Sequence, residues 1–366
     1  MLTLSVTFRG SASVLSNWRR WLVGAVVLVL LVATAVLLQS RASPSRSPSG
    51  PFGTGDRGGT SGRAALGVYS DDIQRLNSFQ SLVGHPVTHA VAYIDERDWT
   101  TLTRPWFFQE TDPNLDWRGW ATTDVRRRLV ISQAMVPKDS PEDWRQRGAR
   151  GEYDQYWAAF GKSLTDSGLS SVIIRLGWEM NGNWFSGHFI GNSPGDIQDW
   201  CQYFRRIVGR LRADSTVPVQ IDWNPTARVH NVPFQSYYPG DDVVDIVGLD
   251  VYDTSYGRPN VSPEARWRHQ FEDPGGLRDV MAFADRHGKP LSIPEWALVA
   301  PGDPSGSNGA GDDPTFVEHM AQLIQERHVV YHAYFNVPDD GVGMTLREAP
   351  QALAVFRRKF GSTGGA

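Results

Sequence analysis

The chain has 366 residues, 40% of them hydrophobic and 21% charged, which suits one large buried core and excludes a disordered protein. Residues 1–63 carry seven Arg and one Asp, so the formal net charge of -4 leaves about -10 for the rest, the wrong sign for nucleic acid. A single cysteine, Cys201, excludes an intrachain disulfide and reads as a small buried hydrophobe. The nine histidines form no His-Glu-x-x-His or Cys/His cluster, so neither a metal nor a cofactor is expected.

Four segments follow from composition. Residues 1–20 read as a cytoplasmic N-terminus. Trp21 to Leu38 is an uncharged apolar run of eighteen residues, long enough to span a bilayer, and Arg9, Arg19 and Arg20 before it favour a cytoplasmic start. The expectation is an uncleaved transmembrane anchor in the cell membrane with the remainder outside, the alternative being secretion after signal cleavage. Residues 39–63, rich in Ser, Pro, Gly and Arg, read as a disordered linker. Residues 64–361 are then one domain, expected to be monomeric.

Within that domain short β-branched runs alternate with amphipathic stretches. Strands are expected at 65–69, 89–93, 129–133, 171–176, 217–222, 243–249, 290–294 and 329–334. Helical stripes fall around Ile73 to Leu82, Tyr153 to Leu164, Ile197 to Leu211, Gly276 to His287, Phe316 to Leu323 and Pro350 to Phe360. Between the second and third strands lies an aromatic-rich insertion with Trp99, Trp106 and Phe107, which either builds a distal subsite or packs the loop. Eight strands with intervening helices predict an α/β fold closed as a (β/α)8 TIM barrel; a doubly wound sheet is the alternative, and no strand is followed by Gly-x-Gly-x-x-Gly.

In such a barrel the residues at the C-terminal strand ends face the active site. Those positions hold Trp178 and Glu179, Trp223 and Asn224, Tyr252 and Asp253, Glu295 and Trp296, and Phe335 and Asn336. Two glutamates across a barrel mouth, each beside Trp, suit glycoside cleavage: one carboxyl protonates the leaving oxygen and the other meets the oxocarbenium-like carbon. Aromatic walls would raise one carboxyl toward the pKa of a useful acid. Trp223 and Trp296 are expected to form the sugar platform, and His188 either touches a sugar or is a loop histidine with no ligand role.

The stretch Arg175-Leu-Gly-Trp-Glu-Met-Asn-Gly-Asn-Trp184 resembles the acid/base signature of glycoside hydrolase family 26, and "YYPGDDVVDIVGLDVYD" and "KPLSIPEWAL" resemble its sixth-strand and nucleophile regions. The resemblance implies a retaining endo-β-glycosidase working by double displacement, with Glu179 as acid/base, Glu295 as nucleophile and Tyr252 orienting the nucleophile. Arg175 matches a structural arginine near the carboxylates, and Trp184 the aromatic beside the acid/base. Trp178 stands where the family usually has His. Trp178, Asn181, Trp184, Trp223, Asn224, Trp296 and Phe335 are the expected substrate-binding set. The implied partner is a polysaccharide or oligosaccharide, β-1,4-mannan first, with β-1,3-1,4-glucan and β-xylan as alternatives. A non-catalytic saccharide-binding barrel is the alternative of another class.

One rival motif needs separate treatment. Gly191-Asn-Ser-Pro-Gly195 matches the Gly-x-Ser-x-Gly pattern of serine hydrolases, but Pro194 has no N–H to offer an oxyanion. Ser193 is better read as a helix N-cap with Pro194 in the first turn.

Overall fold

The computed structural model describes residues 64–361 apart from 228, 230, 231, 256, 257, 259, 260, 303–307 and 338–342. The expected anchor at 21–38 and linker at 39–63 lie outside the described residues. Among the described residues no helix is long and apolar enough to cross a membrane.

Parallel strands form the centre: β1 (Ala65–Tyr69), β2 (His89–Tyr93), β3 (Arg128–Gln133), β4 (Val172–Leu176), β5 (Val219–Trp223), β6 (Ile246–Gly248), β7 (Val251–Asp253), β8 (Leu291–Leu298) and β9 (Val329–Phe335). β1 to β6 pair in chain order, β1 also pairs with β9, and β9 with β8. The ring closes because β6 pairs with both β5 and β8, through Val247 opposite Leu291 and Gly248 opposite Ser292. β7 continues the course of β6 along β8, so the two short pieces fill one position of an eight-position parallel barrel. The first two strands and the last helix (Pro350–Phe360) have the expected bounds.

The strands are largely buried on both faces, as barrel strands must be when helices cover the outside. The inner face holds a small cluster of Val91, Val130, Ile173, Ile246, Tyr331 and Ala333. The outer faces join the helices in a much larger core, to which Trp157, Trp200, Phe204, Phe283 and Phe356 contribute. The helix Pro194–Asp214 starts as expected: Ser193 accepts from Asp196 N–H at 3.1 Å, the Asp196 carboxylate accepts from Ser193 N–H at 3.0 Å, and Pro194 occupies the first turn. The serine of the rival motif is therefore a cap. The β2–β3 connection is built of short helices at Trp99–Thr103 and Trp117–Thr122, with Trp99 stacked on Tyr156 at 4.1 Å and Phe107 buried. These two aromatics pack the loop, whereas Trp106 stays 37% exposed.

One departure from the expected strands positions chemistry. β8 does not stop at Pro294 but runs on to Leu298, with a register irregularity between Ile293 and Trp296. Proline cannot donate to a ladder, and an irregular step in register shifts which residues face inward. Ser292 and Glu295, an odd number of residues apart, consequently both reach barrel-interior partners, Asp222 and Arg175. The interior is also tight enough to require a glycine: a Cβ on Gly248 would lie 2.6 Å from Asp222 Oδ1 and 2.8 Å from Ser292 Oγ. Gly248→Ala is expected to cost about 1–3 kcal/mol of unfolding free energy, measurable as a lower urea midpoint at unchanged slope.

Candidate active site

Register builds the site. Tyr93, Ser132 and Arg175 lie side by side on β2, β3 and β4, one inward position above Val91, Val130 and Ile173. Arg175 is fully buried, and four neighbours lie within 2.8 Å of its guanidinium nitrogens. Nε donates to Asn224 Oδ1 at 2.7 Å, Nη1 to Ser132 Oγ at 2.8 Å, and Nη2 to Asp250 Oδ2 at 2.8 Å and Glu295 Oε1 at 2.7 Å. A buried charge needs such partners to be tolerated at all.

Glu295 is held at both oxygens. Oε1 accepts from Arg175 and from the phenol of Tyr93, and Oε2 accepts from the phenol of Tyr252 at 2.7 Å. Burial, followed by the charge of Glu295, keeps both phenols well above the usual tyrosine range, so they stay protonated donors.

Glu179 is set differently. It follows β4 on a turn in which Gly177 and Glu179 both have positive φ, 60° and 51°. For a glutamate this left-handed conformation is strained by an amount of order 1–3 kcal/mol, of the kind found at functional positions. The turn is fixed by Glu179 N–H donating to Asn224 O at 2.7 Å and Gly182 N–H to Glu179 O at 2.9 Å. Trp184 Nε1 donates to Glu179 Oε2 at 2.7 Å. The carboxyl is raised to about 7, chiefly by desolvation and next by Glu295, with hydrogen bonds from Thr226 and Trp184 pulling the other way. One carboxyl is thus tied to a cation and two phenols, while the other is desolvated and tied to an indole. Environments that differ in this way suit two carboxyls for different chemical roles.

The remaining expected substrate-binding residues divide. Trp184 is half exposed beside Glu179, and Phe335 lies at the rim against Tyr69 and Tyr252, with ring centroids 4.7 and 6.0 Å away. Trp223 and Trp296 are not platforms: both are fully buried, because the neighbours of inward-facing Asn224 and Glu295 must point outward. Trp223 packs on Tyr237 and Phe283, Trp296 on Phe316 and Phe356. Asn181 is buried and used up between loops, accepting from Thr226 N–H and donating to the carbonyls of Thr226 and Val229. Asn224 serves Arg175 and not a ligand. Trp178 is buried edge-on to Tyr93 at 5.4 Å, its other neighbours being His188 and Phe185. His188 is itself fully buried and lowered to about 3 by that burial, a neutral packing imidazole out of reach of a sugar.

Tyr93, Ser132 and Asp250 were missing from the expected site. Tyr93 ends β2 and was legible by the strand-end rule; Ser132 and Asp250 become recognisable only once a buried arginine demands acceptors. Among the described residues no group of three or more His, Cys, Asp or Glu side chains is arranged to hold a metal ion.

A closed parallel barrel with paired, differently tuned carboxyls at its C-terminal mouth defines a class of enzyme that works on glycosidic bonds. Residues 108–289 match the model of Glycosyl hydrolase family 26, and the chain belongs to that family, which makes it a glycoside hydrolase. The matched segment contains Arg175, Glu179 and Tyr252 and ends before Glu295. None of the curated proteins matches the sequence. Similar solved structures include a family 26 β-mannanase from Bacteroides ovatus, 15% identical with a TM-score of 0.53 over 81% of this chain and 88% of that one. A modular endo-β-1,4-mannanase from Cellulomonas fimi is 18% identical with a TM-score of 0.55, over 80% of this chain and 70% of that one. The YdhT protein from Bacillus subtilis is 16% identical with a TM-score of 0.53, over 82% and 85%. At these identities the likeness is one of fold.

Proposed function

We propose that the chain is a retaining endo-β-glycosidase, acting on a β-1,4-mannan-like polysaccharide by double displacement. The observation that carries the mechanism is the contrast between the two carboxyls. Glu179, raised to about 7, is suited to protonate a leaving oxygen near neutral pH and then to take a proton from water. Glu295, aimed by Arg175, Tyr93 and Tyr252, is suited to attack the anomeric carbon. The choice of mannan rests on family membership and on the printed activities of the two mannanases above, and the apolar run at 21–38 supports a membrane-anchored enzyme facing outward.

Residues from Arg63 onward, assayed against β-mannan, mixed-linkage β-glucan and β-xylan, test the reading. The expected products are long oligosaccharides from mannan, released first as the β-anomer. Intact β-glycans together with cleavage of an α-glycan would overturn the proposal, and an α-anomer released first would overturn retention.

The pH profile has a definite sign. Glu179 must be protonated to act as the acid, so kcat/KM is expected to fall as pH rises through about 7. Glu179→Ala should remove that limb and cost about 10²–10⁴-fold on a polysaccharide. On an aryl glycoside whose leaving group needs no proton, the first step should survive.

A further inference from the structure

The two oxygens of Glu295 are not equivalent. Oε1 accepts from donors rooted in the barrel wall, Tyr93 on β2 and Arg175 on β4, whereas Oε2 accepts from Tyr252, at the end of the sixth strand position. Tyr93 has little freedom to leave. Its ring meets Tyr69 edge-on at 4.9 Å and Trp178 edge-on at 5.4 Å, its carbonyl accepts from Trp106 Nε1 at 3.3 Å, and Arg175 Nη1 lies 3.4 Å from its hydroxyl.

Forming an ester makes this asymmetry matter. The oxygen that bonds to carbon becomes a poor acceptor and must shed its donor, while the other becomes a carbonyl oxygen that keeps its hydrogen bonds. Resting on the retaining reading above, we propose that Tyr93 is a second positioning phenol, which with Arg175 holds Oε1 as the carbonyl oxygen of the glycosyl ester and so assigns the attack to Oε2. In the first step a lone pair of Oε2 forms the bond to the anomeric carbon as the glycosidic C–O bond breaks. The bonding pair stays on the leaving oxygen, which takes the proton of Glu179. In the second step water loses a proton to Glu179 and attacks the same carbon, and the ester pair returns to Oε2. Tyr252 changes partner in each step and Tyr93 in neither.

Tyr93→Phe keeps the ring and its edge contacts and removes the one donor, so the melting temperature should change little. On the β-glycan that the unaltered chain cuts fastest, kcat is expected to fall about 10²–10³-fold with KM nearly unchanged, the signature of a donor that matters in the transition state. A structure of the intermediate trapped with a 2-deoxy-2-fluoro glycoside should show Oε2 bonded to carbon and Oε1 facing Tyr93 and Arg175. An unchanged kcat in Tyr93→Phe, or carbon bonded to Oε1, would overturn this inference while leaving the glycosidase reading intact. An unaltered chain that cuts no glycan would instead sink both.

Discussion

Glu295→Ala is expected to lower kcat on the preferred β-glycan on the order of 10⁶-fold, the scale on which loss of a single nucleophile counts when the rest of a site acts through it. Binding should survive, because the half-exposed Trp184 and the rim ring of Phe335 are untouched. Arg175 keeps Asp250 as a counter-charge, so the barrel should remain folded. The space vacated by the carboxylate is open to a small anion. Azide should therefore restore turnover of an activated aryl glycoside and release a glycosyl azide of inverted configuration, identifiable by its anomeric NMR signals. Wild-type turnover in Glu295→Ala would remove the nucleophile assignment, and a binding-only barrel would show no turnover in either protein.

The second large effect falls on stability as well as activity. Arg175→Met leaves Asp250 and Glu295 in the barrel without the guanidinium that both contact, and breaking a buried charge cluster from one side costs about 3–5 kcal/mol. Lysine is not expected to rescue. Arg175 serves Asn224, Ser132, Asp250 and Glu295 from three separate nitrogens, whereas an ammonium presents its donors from one point. Urea denaturation of Arg175→Met and Arg175→Lys would measure the loss. The sign of its pH dependence follows from Asp250, whose carboxyl burial already holds well above the usual range: once it takes up a proton it no longer needs the cation, so the deficit relative to the unaltered protein should shrink on acidification. A deficit that grows in acid, or a lysine variant as stable as the original, would contradict this account.

Much of the fold was legible because parallel strands and amphipathic helices write different periods into a chain. β1 and β2 begin and end where the β-branched runs do, and Ser193-Pro194 announces its helix through local cap chemistry alone. The strand-end rule also reached Glu179, Glu295 and Tyr252. It failed on Trp223 and Trp296, and the reason is physical. A strand exposes alternate residues to opposite faces, but here both faces are buried, so apolar character does not tell inside from outside. A tryptophan beside a functional residue then reads as a wall of the site when it belongs to the helix-facing core. His188 was open between a sugar contact and no ligand role, and the Trp178 and Phe185 rings that enclose it decide for the second.

The sequence by itself determined the alternation of strands and helices, the cap at Ser193, and the residue types available at each strand end, since all of these depend on neighbours within a few positions. The tertiary structure decided which of those residues meet. The closure of β6 onto β8 sets one wall of the ring, and the irregularity at Pro294 turns Glu295 inward. The register of β2, β3 and β4 sets Tyr93 and Ser132 around Arg175. These contacts join residues up to 202 positions apart, a separation no local pattern encodes, and they leave Glu295 anchored by a cation and two phenols and Glu179 desolvated beside an indole.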